Sequence, residues 1–454
     1  MNNDITIVGG TSFAGQTTVH PLGLVAVVVL GLCVLFLPRR WAIFPFLVMA
    51  CFVSSAQRIV VAGLDFDFLR IMALFGVMRL IFRKEYINFV WKPLDTAIVF
   101  WAASSMFFFV IQQGTFAAVV NRLGFAFNAV GMYFLFRCLI KDWQDLDRIV
   151  FGVIIISIPV ALFFLLENRT GRNVFSIFGG VSPLTMAREG RLRCQGAYSH
   201  AILAGCFWAS LMPLIAAYWW KSSKERHWAV IGLMASMIII FCCASSTPVM
   251  GFLAVIIGGV MFFFRNYMRS IRWGILLTLI ALHMVMNHPV WHLICRISAV
   301  GGSTGYHRYK LIDGAIRNFG DWCFSGCSSY TVASWGVWAG DVTNQYILEG
   351  VNGGFLTLCL FVAIITIAFR GIGRRWRLHV QHPYFLALSW ATGVSLFVHC
   401  MNFIGVSYFG QITILWYLLL AIIGSVSVPS RGVSISRTQQ ASAAPSSASY
   451  RSQS

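Results

Sequence analysis

Runs of about 20 apolar residues recur along nearly the whole chain, and no other feature restricts its fold as strongly. Stretches such as 149–166 and 201–219 contain no charged residue. About 20 residues is the length a helix needs to cross the hydrocarbon layer of a bilayer. Only 11% of the 454 residues are charged, 58% are hydrophobic, and mean hydropathy is +0.76. A soluble domain carries roughly 25% charged residues, so this chain has too little polar surface to face water all round. Apolar residues fill whole windows and do not alternate with a period of two. That pattern predicts helices and excludes an outer-membrane barrel. The expected fold is therefore all-α, a polytopic transmembrane protein with about 12–14 spans.

Spans are expected near 22–38, 41–62, 65–82, 94–112, 116–140, 149–166, 201–219, 228–245, 248–264, 273–289, 350–369, 384–403 and 407–428. The net charge of +19 would suggest nucleic acid in a soluble protein. Here the basic residues occupy short connections between apolar runs, which is how topology signals are distributed. With the N-terminus outside, Arg39-Arg40, Arg83 with Lys84 and Lys92, Lys141 with Arg148, Lys221 with Lys224 and Arg226, the group Arg265–Arg269–Arg272 and the group from Arg370 to Arg377 all fall on the inner side. Residues 1–428 are read as one membrane domain. The Ser- and Ala-rich segment 429–454 is expected to be a disordered inner tail. Residues 1–20 lack Lys and Arg, so no cleavable signal is expected there. The twelve cysteines show no metal-ligand spacing and read as small core residues. No metal or cofactor is expected.

Two outer connections are long, about 167–200 and 290–349. Loops of that length commonly carry function, and both hold aromatic residues among polar ones. The first contains Arg169, Arg172, Arg188, Arg191 and Arg193 and no Lys. Positive charge on the outer side runs against the topology trend. Arginine offers a planar fork of donors that suits phosphate oxygens. The plainer reading is headgroup contact, or pairing with Glu167 and Glu189. In the second loop, Tyr309, Ile312, Ile316 and Phe319 have helical spacing, which predicts a surface helix over 306–319 with His307, Lys310 and Arg317 on its polar face. Arg308 lies off that face, near Ile312 and Ala315, where a lone arginine wants an anionic partner. Cys295, Cys323 and Cys327 fall in this loop, either bridged or free. Within the expected spans, Arg58, Asp65, Asp67, Arg70, Arg79 and Arg122 are ionisable, and charges at membrane depth are expensive. Asp67 and Arg70 are expected to pair along one helix.

Three segments resemble the bacterial O-antigen ligase and O-antigen polymerase superfamily. Arg191-Leu192-Arg193-Cys194-Gln195-Gly196-Ala197-Tyr198-Ser199-His200 looks like the family's Arg-x-x-Gly-x-aromatic segment before a helix. Tyr306-His307-Arg308-Tyr309 is similar to the arginine-bearing opening of the family's outer-loop helix. Asp341-Val342-Thr343-Asn344-Gln345-Tyr346-Ile347-Leu348-Glu349-Gly350, followed by Gly353-Gly354, looks like the family's His-Asn-x-Tyr-Leu segment. The match covers roughly 170–365. It implies a metal-independent membrane glycosyltransferase of the bacterial inner membrane. Such an enzyme takes a glycan from an undecaprenyl diphosphate carrier at the periplasmic face and passes it to an acceptor glycan or lipid. By that resemblance Arg193 and Arg308 hold the diphosphate, with Arg191 and Asn344 beside them. Thr343 stands at the position of the ligase histidine, a departure that favours an O-antigen or exopolysaccharide polymerase over a lipid A-core ligase. His307, Asp341 or Glu349 then serves as the catalytic base, with His200 a further candidate. The expected partners are the lipid-linked glycan, its acceptor and membrane lipid, and not nucleic acid.

Two other readings stay open on the sequence: a lipid or polysaccharide transporter (or flippase), and a non-catalytic assembly scaffold. A transporter of that kind is expected to show repeats and broken spans in matching halves, with charges near midplane. The outer placement of the arginines favours the transferase.

Overall fold

The computed structural model describes residues 16–61, 63–296, 305–337, 340–378 and 381–425. The expected tail, residues 1–15 and two short parts of the second long loop lie outside these.

Helices dominate. In chain order they are α1 (Pro21–Phe36), α2 (Phe44–Phe52), α3 (Phe68–Arg83), α4 (Pro93–Gln113), α5 (Phe116–Ala126), α6 (Met132–Leu139), α7 (Trp143–Thr170), α8 (Ala201–Ala217), α9 (Arg226–Cys242), α10 (Ser246–Val260), α11 (Met268–Val285), α12 (Gly305–Arg317), α13 (Phe319–Trp322), α14 (Ser329–Ser334), α15 (Gln345–Leu378), α16 (Pro383–Gly405) and α17 (Ile412–Ser425). A π-helical turn, Phe127–Gly131, joins α5 to α6. Among the described residues, eight helical runs are long and apolar enough to cross a membrane: α4, α5 with α6, α7, α8, α9, α11, α15 and α16. Three shorter apolar helices, α1, α10 and α17, accompany them.

The bundle is built around α8. Nearly all of its residues are buried, and it packs on α7, α9, α10, α16 and α17. Small residues permit this crowding. A Cβ on Gly205 would come within 2.5 Å of Pro248, so α8 and α10 cross at backbone distance. By contrast α11 buries none of its residues. Its apolar surface suits a lipid environment.

One expected span takes another form. Residues 41–62 form only the nine-residue α2 before the chain turns extended. Strands β1 (Arg58–Val61) and β2 (Leu64–Asp67) then pair as an antiparallel hairpin. Charge explains the difference: Arg58 bonds Asp65 across the hairpin at 2.7 Å, a pairing that a continuous apolar helix would not offer. Asp67 caps α3 by accepting from the Arg70 backbone N–H at 2.8 Å, and the Arg70 guanidinium lies 3.8 Å from the same carboxylate. That is the expected Asp67–Arg70 pairing. Arg79 is fully buried and bonds Glu85 at 2.8 Å.

The basic connections gather at one end of the bundle, where several of their cations meet carboxylates. Arg39 bonds Asp145 at 2.6 Å, Arg137 bonds Asp95 at 3.1 Å, and Lys221 bonds Asp147 at 2.9 Å. Lys92 donates to the Gly424 carbonyl at the end of α17 at 2.6 Å. The two long connections emerge at the opposite end.

Candidate functional site

The first long connection is an ordered arm. Helix α7 stops at Gly171, whose φ of +67° turns the chain back. A small hairpin follows, β3 (Ala187–Arg188) with β4 (Arg191–Leu192). Its turn residues Glu189 and Gly190 both have positive φ, +52° and +72°, as the tightest hairpin turns require. The Arg193 N–H extends the ladder to the Met186 carbonyl at 2.9 Å. Beyond it the arm is latched by Glu167, a buried carboxylate in the last turn of α7. It accepts from the Gln195 and Gly196 backbone N–H groups at 3.0 and 3.1 Å and from the Thr185 hydroxyl at 3.1 Å. Glu167 therefore holds backbone, and no arginine is bonded to it among the described residues. Glu189 lies 3.9 Å from the exposed Arg188.

This latch sorts the five arginines. Arg169, Arg172, Arg188 and Arg191 are exposed, whereas Arg193 is half-buried. Its Nε is buried with no partner among the described residues. Burial, with the positive charge of Arg188 nearby, works against its protonated form, and the Cys243 thiol lies beside it. His200 caps α8 by accepting from the Ile202 N–H at its Nδ1, 3.1 Å away. Burial, then the charges of Arg193 and Arg188, push this imidazole down to about 4, so it is a neutral cap near pH 7.

The second long connection approaches the same helices. On α12 the buried stripe is Leu311, Gly314 and Ala315, with Arg308 half-buried beside them. The expected apolar stripe is corrected: Ile316 and Phe319 are exposed. Tyr309 turns outward to the rings of His292 and Tyr306. The tight fit of Gly314 against Trp335 sets the packed face. The Arg308 guanidinium donates to Thr247 Oγ1 at 2.7 Å, and a Cβ on Gly405 would lie 3.4 Å from its Cζ. The Cys206 thiol of α8 lies near it, burial works against its charge, and its Nε is also buried and unpartnered among the described residues. Arg193 and Arg308 therefore flank the same short turn between α9 and α10, one at Cys243 and the other at Thr247. Within that turn Ala244 holds a left-handed φ of +44°, a conformation that stores strain for any residue but glycine. Beside the turn opens a cleft of about 410 Å³ lined by Asn168, Gly190, Arg191, Ile240, Ala244 and Ser245, among others.

His307 precedes Arg308 on α12. Its Nε2 and the Asp341 Oδ1 are both buried without a partner among the described residues. Burial raises the Asp341 carboxyl above its ordinary value, and the charge of His307 opposes that rise. Asn344 caps α15, accepting from the Ile347 N–H at 3.1 Å and donating to the Ile404 carbonyl at 3.2 Å, so its amide is engaged at both ends. Glu349 lies deeper, buried, accepting from Trp101 Nε1 at 2.8 Å and from Gln345 Nε2 at 2.7 Å. Its observed role is to tie α15 to α4. Arg122 stacks over Phe109 at 3.7 Å and donates to Ser105 at 3.2 Å.

No protein-family model matches this chain, and no curated protein matches it.

Of the sequence-read residues, the fold brings Arg193, Arg308 and Arg191 to one region, with His307 next to Arg308 in the chain and Asp341 near His307, while Glu349 belongs to the bundle interior. Sequence reasoning missed Thr247, Cys206 and Cys243. The run Ser245-Ser246-Thr247-Pro248 signals a turn, but nothing in it tells that an arginine from a distant loop bonds the hydroxyl. Cys295, Cys323 and Cys327 are free thiols. No cluster of three or more His, Cys, Asp or Glu able to hold a metal occurs among the described residues.

Proposed function

We propose that this chain is a membrane glycosyltransferase that takes a glycan from a lipid diphosphate, undecaprenyl diphosphate by the resemblance above, at the outer face of a bacterial inner membrane. One observation carries the reading. Two half-buried arginines from separate loops flank one turn, and neither has a carboxylate partner among the described residues. A desolvated guanidinium without a counter-ion is costly. An anionic ligand with several oxygens relieves that cost at both positions together. A diphosphate held between Arg193 and Arg308 fits the planar donor forks of both.

The chemistry follows from charge. As the bond between the sugar's anomeric carbon and the diphosphate oxygen breaks, negative charge collects on the leaving group. Fixed guanidinium groups stabilise it without waiting for solvent to reorganise. The attacking hydroxyl of the acceptor must lose a proton. His307 stands next to Arg308 with a ring nitrogen free among the described residues, and the nearby Asp341 carboxylate can balance its charge once protonated. The acceptor is another lipid-linked repeat, as in a polymerase, more readily than lipid A-core, because Thr343 replaces the ligase histidine.

The test is complementation of a deletion strain with Arg193→Lys, Arg193→Ala, Arg308→Lys and Arg308→Ala at matched membrane expression. Each substitution is expected to lower long-chain polysaccharide by about 10²–10³ in rate. Lysine is also expected to fail, because it keeps the charge and loses the fork. Normal polysaccharide from all four variants would falsify the assignment.

A further inference from the structure

Beneath the arginine arm two cysteines meet. The Cys194 N–H donates to the Cys242 carbonyl at 3.1 Å, joining the arm to the end of α9. Such a backbone bond holds the two Cα atoms roughly 5 Å apart, as across neighbouring strands. That separation is inside the range of about 4.4–6.8 Å that a disulfide spans. The two side chains also interact with each other, and the Asn168 side chain interacts with Cys194. Both thiols are buried. Cys243, the next residue, turns away and donates to the Ile239 carbonyl at 3.1 Å. The pairing is thus specific to Cys194 and Cys242.

We propose that Cys194 and Cys242 form a disulfide in the mature protein, pinning the Arg193 arm to the α9–α10 turn. The bond would lie beside the cleft, whose walls are Gly190 to Leu192 on the arm and Ile240, Phe241, Ala244 and Ser245 around the turn. Arg193 is adjacent to one sulfur and Cys243 to the other, so the link fixes the arginine against the turn that Arg308 also reaches. It gives the strained Ala244 a fixed neighbour.

The oxidation balances through thiol–disulfide exchange. One cysteine thiolate attacks the disulfide of a dithiol oxidant, forming a mixed disulfide and releasing one oxidant thiolate. The second cysteine thiolate displaces the oxidant from the first. The protein gives up two electrons and two protons, and the oxidant leaves as a dithiol. Burial in the folded arm places this exchange before the arm docks and shields the product from later reduction. The proposal rests on the outward placement of the arm, in a compartment that permits disulfides, and does not depend on the transfer reaction.

The experiment uses the full chain in its native membrane. Membranes are denatured in a maleimide without reductant, and the peptides are read by mass spectrometry. A linked Cys194–Cys242 peptide is expected, with both sulfurs taking label only after reduction. In Cys194→Ser the Cys242 thiol should label without reductant, and in Cys242→Ser the Cys194 thiol should do so. Full labelling of both residues in unreduced wild-type protein overturns the proposal, as does a linked peptide joining either one to another cysteine. Polysaccharide assays on the arginine variants test the transferase separately, so a missing bond and a missing activity are told apart.

Discussion

Replacing Glu167 should release the arm that carries Arg193, and the size of the effect can be worked from its bonds. The carboxylate is buried and accepts three hydrogen bonds, two of them from the backbone N–H groups of Gln195 and Gly196. An alanine leaves those two donors without an acceptor inside the fold. Each unsatisfied buried donor costs about 1–3 kcal/mol, so Glu167→Ala should destabilise the arm by about 2–5 kcal/mol once the relief of unburying a charge is set against it. Glutamine keeps the shape and one acceptor oxygen but turns an NH₂ toward the other donor, so Glu167→Gln should lose roughly half as much. The assay is two-fold. Detergent-solubilised protein is heated and the folded fraction followed by size-exclusion chromatography. Limited proteolysis then reports cleavage within 171–200. The expected order of stability is wild type, then glutamine, then alanine, with new cleavage in the arm. An alanine variant that melts with wild type and gains no cleavage would show that the arm is held by other contacts.

Further outcomes concern pH and backbone. The fold holds the His200 imidazole near 4 against an ordinary 6.5, so the unfolded chain binds more protons between those values. The stability from this group is complete above pH 6.5 and is lost as pH falls toward 4, by about 3 kcal/mol. His200→Asn keeps a capping side chain and should flatten the acid limb of an unfolding-versus-pH curve; an unchanged slope would refute the assignment. Gly354 breaks α15 with φ +73° and ψ −177°, and a Cβ there would stand 2.4 Å from the Phe324 carbonyl oxygen. Gly354→Ala should therefore cost about 2–4 kcal/mol, read as a fall in the heat-resistant folded fraction; an alanine variant as stable as wild type would mean that the break in α15 is not required.

Much of the helical plan was legible because uninterrupted apolar length is a one-dimensional signal. The α7, α8 and α16 segments needed nothing else. The hairpin at 58–67 was not legible as such, since Ile59, Val60 and Val61 read equally well as the end of a span. What decides the matter is the cross-strand Arg58–Asp65 bond, a pairing that no window average contains. The face of α12 was misjudged for a related reason. Its burial follows the small residues Gly314 and Ala315, which admit a neighbour, and not the large ones that dominate a hydrophobicity pattern. Arg193 and Arg308 were legible as candidates from residue type and position. Their shared turn was not, because Thr247 and Cys243 join them only through folding.

The contrast between arginines at different places in the same bundle bears most directly on the proposed role of Arg193 and Arg308. At the basic end Arg39, Arg79 and Arg137 each bond a carboxylate. At the opposite end Arg58 and Arg70 have Asp65 and Asp67. The chain thus supplies acids to these five arginines, though not, among the described residues, to the buried Arg375 or Arg122 inside the bundle. Around the α9–α10 turn it does not. Glu167, in the same arm as Arg193, is bonded to backbone instead, and Asp341 lies with His307 while Arg308 takes only a hydroxyl. On the proposed function, withholding the counter-ion leaves two cations whose burial penalty a polyanionic ligand would relieve on binding. An ion pair in their place would make a more self-sufficient fold and, on the proposed function, a weaker anion site.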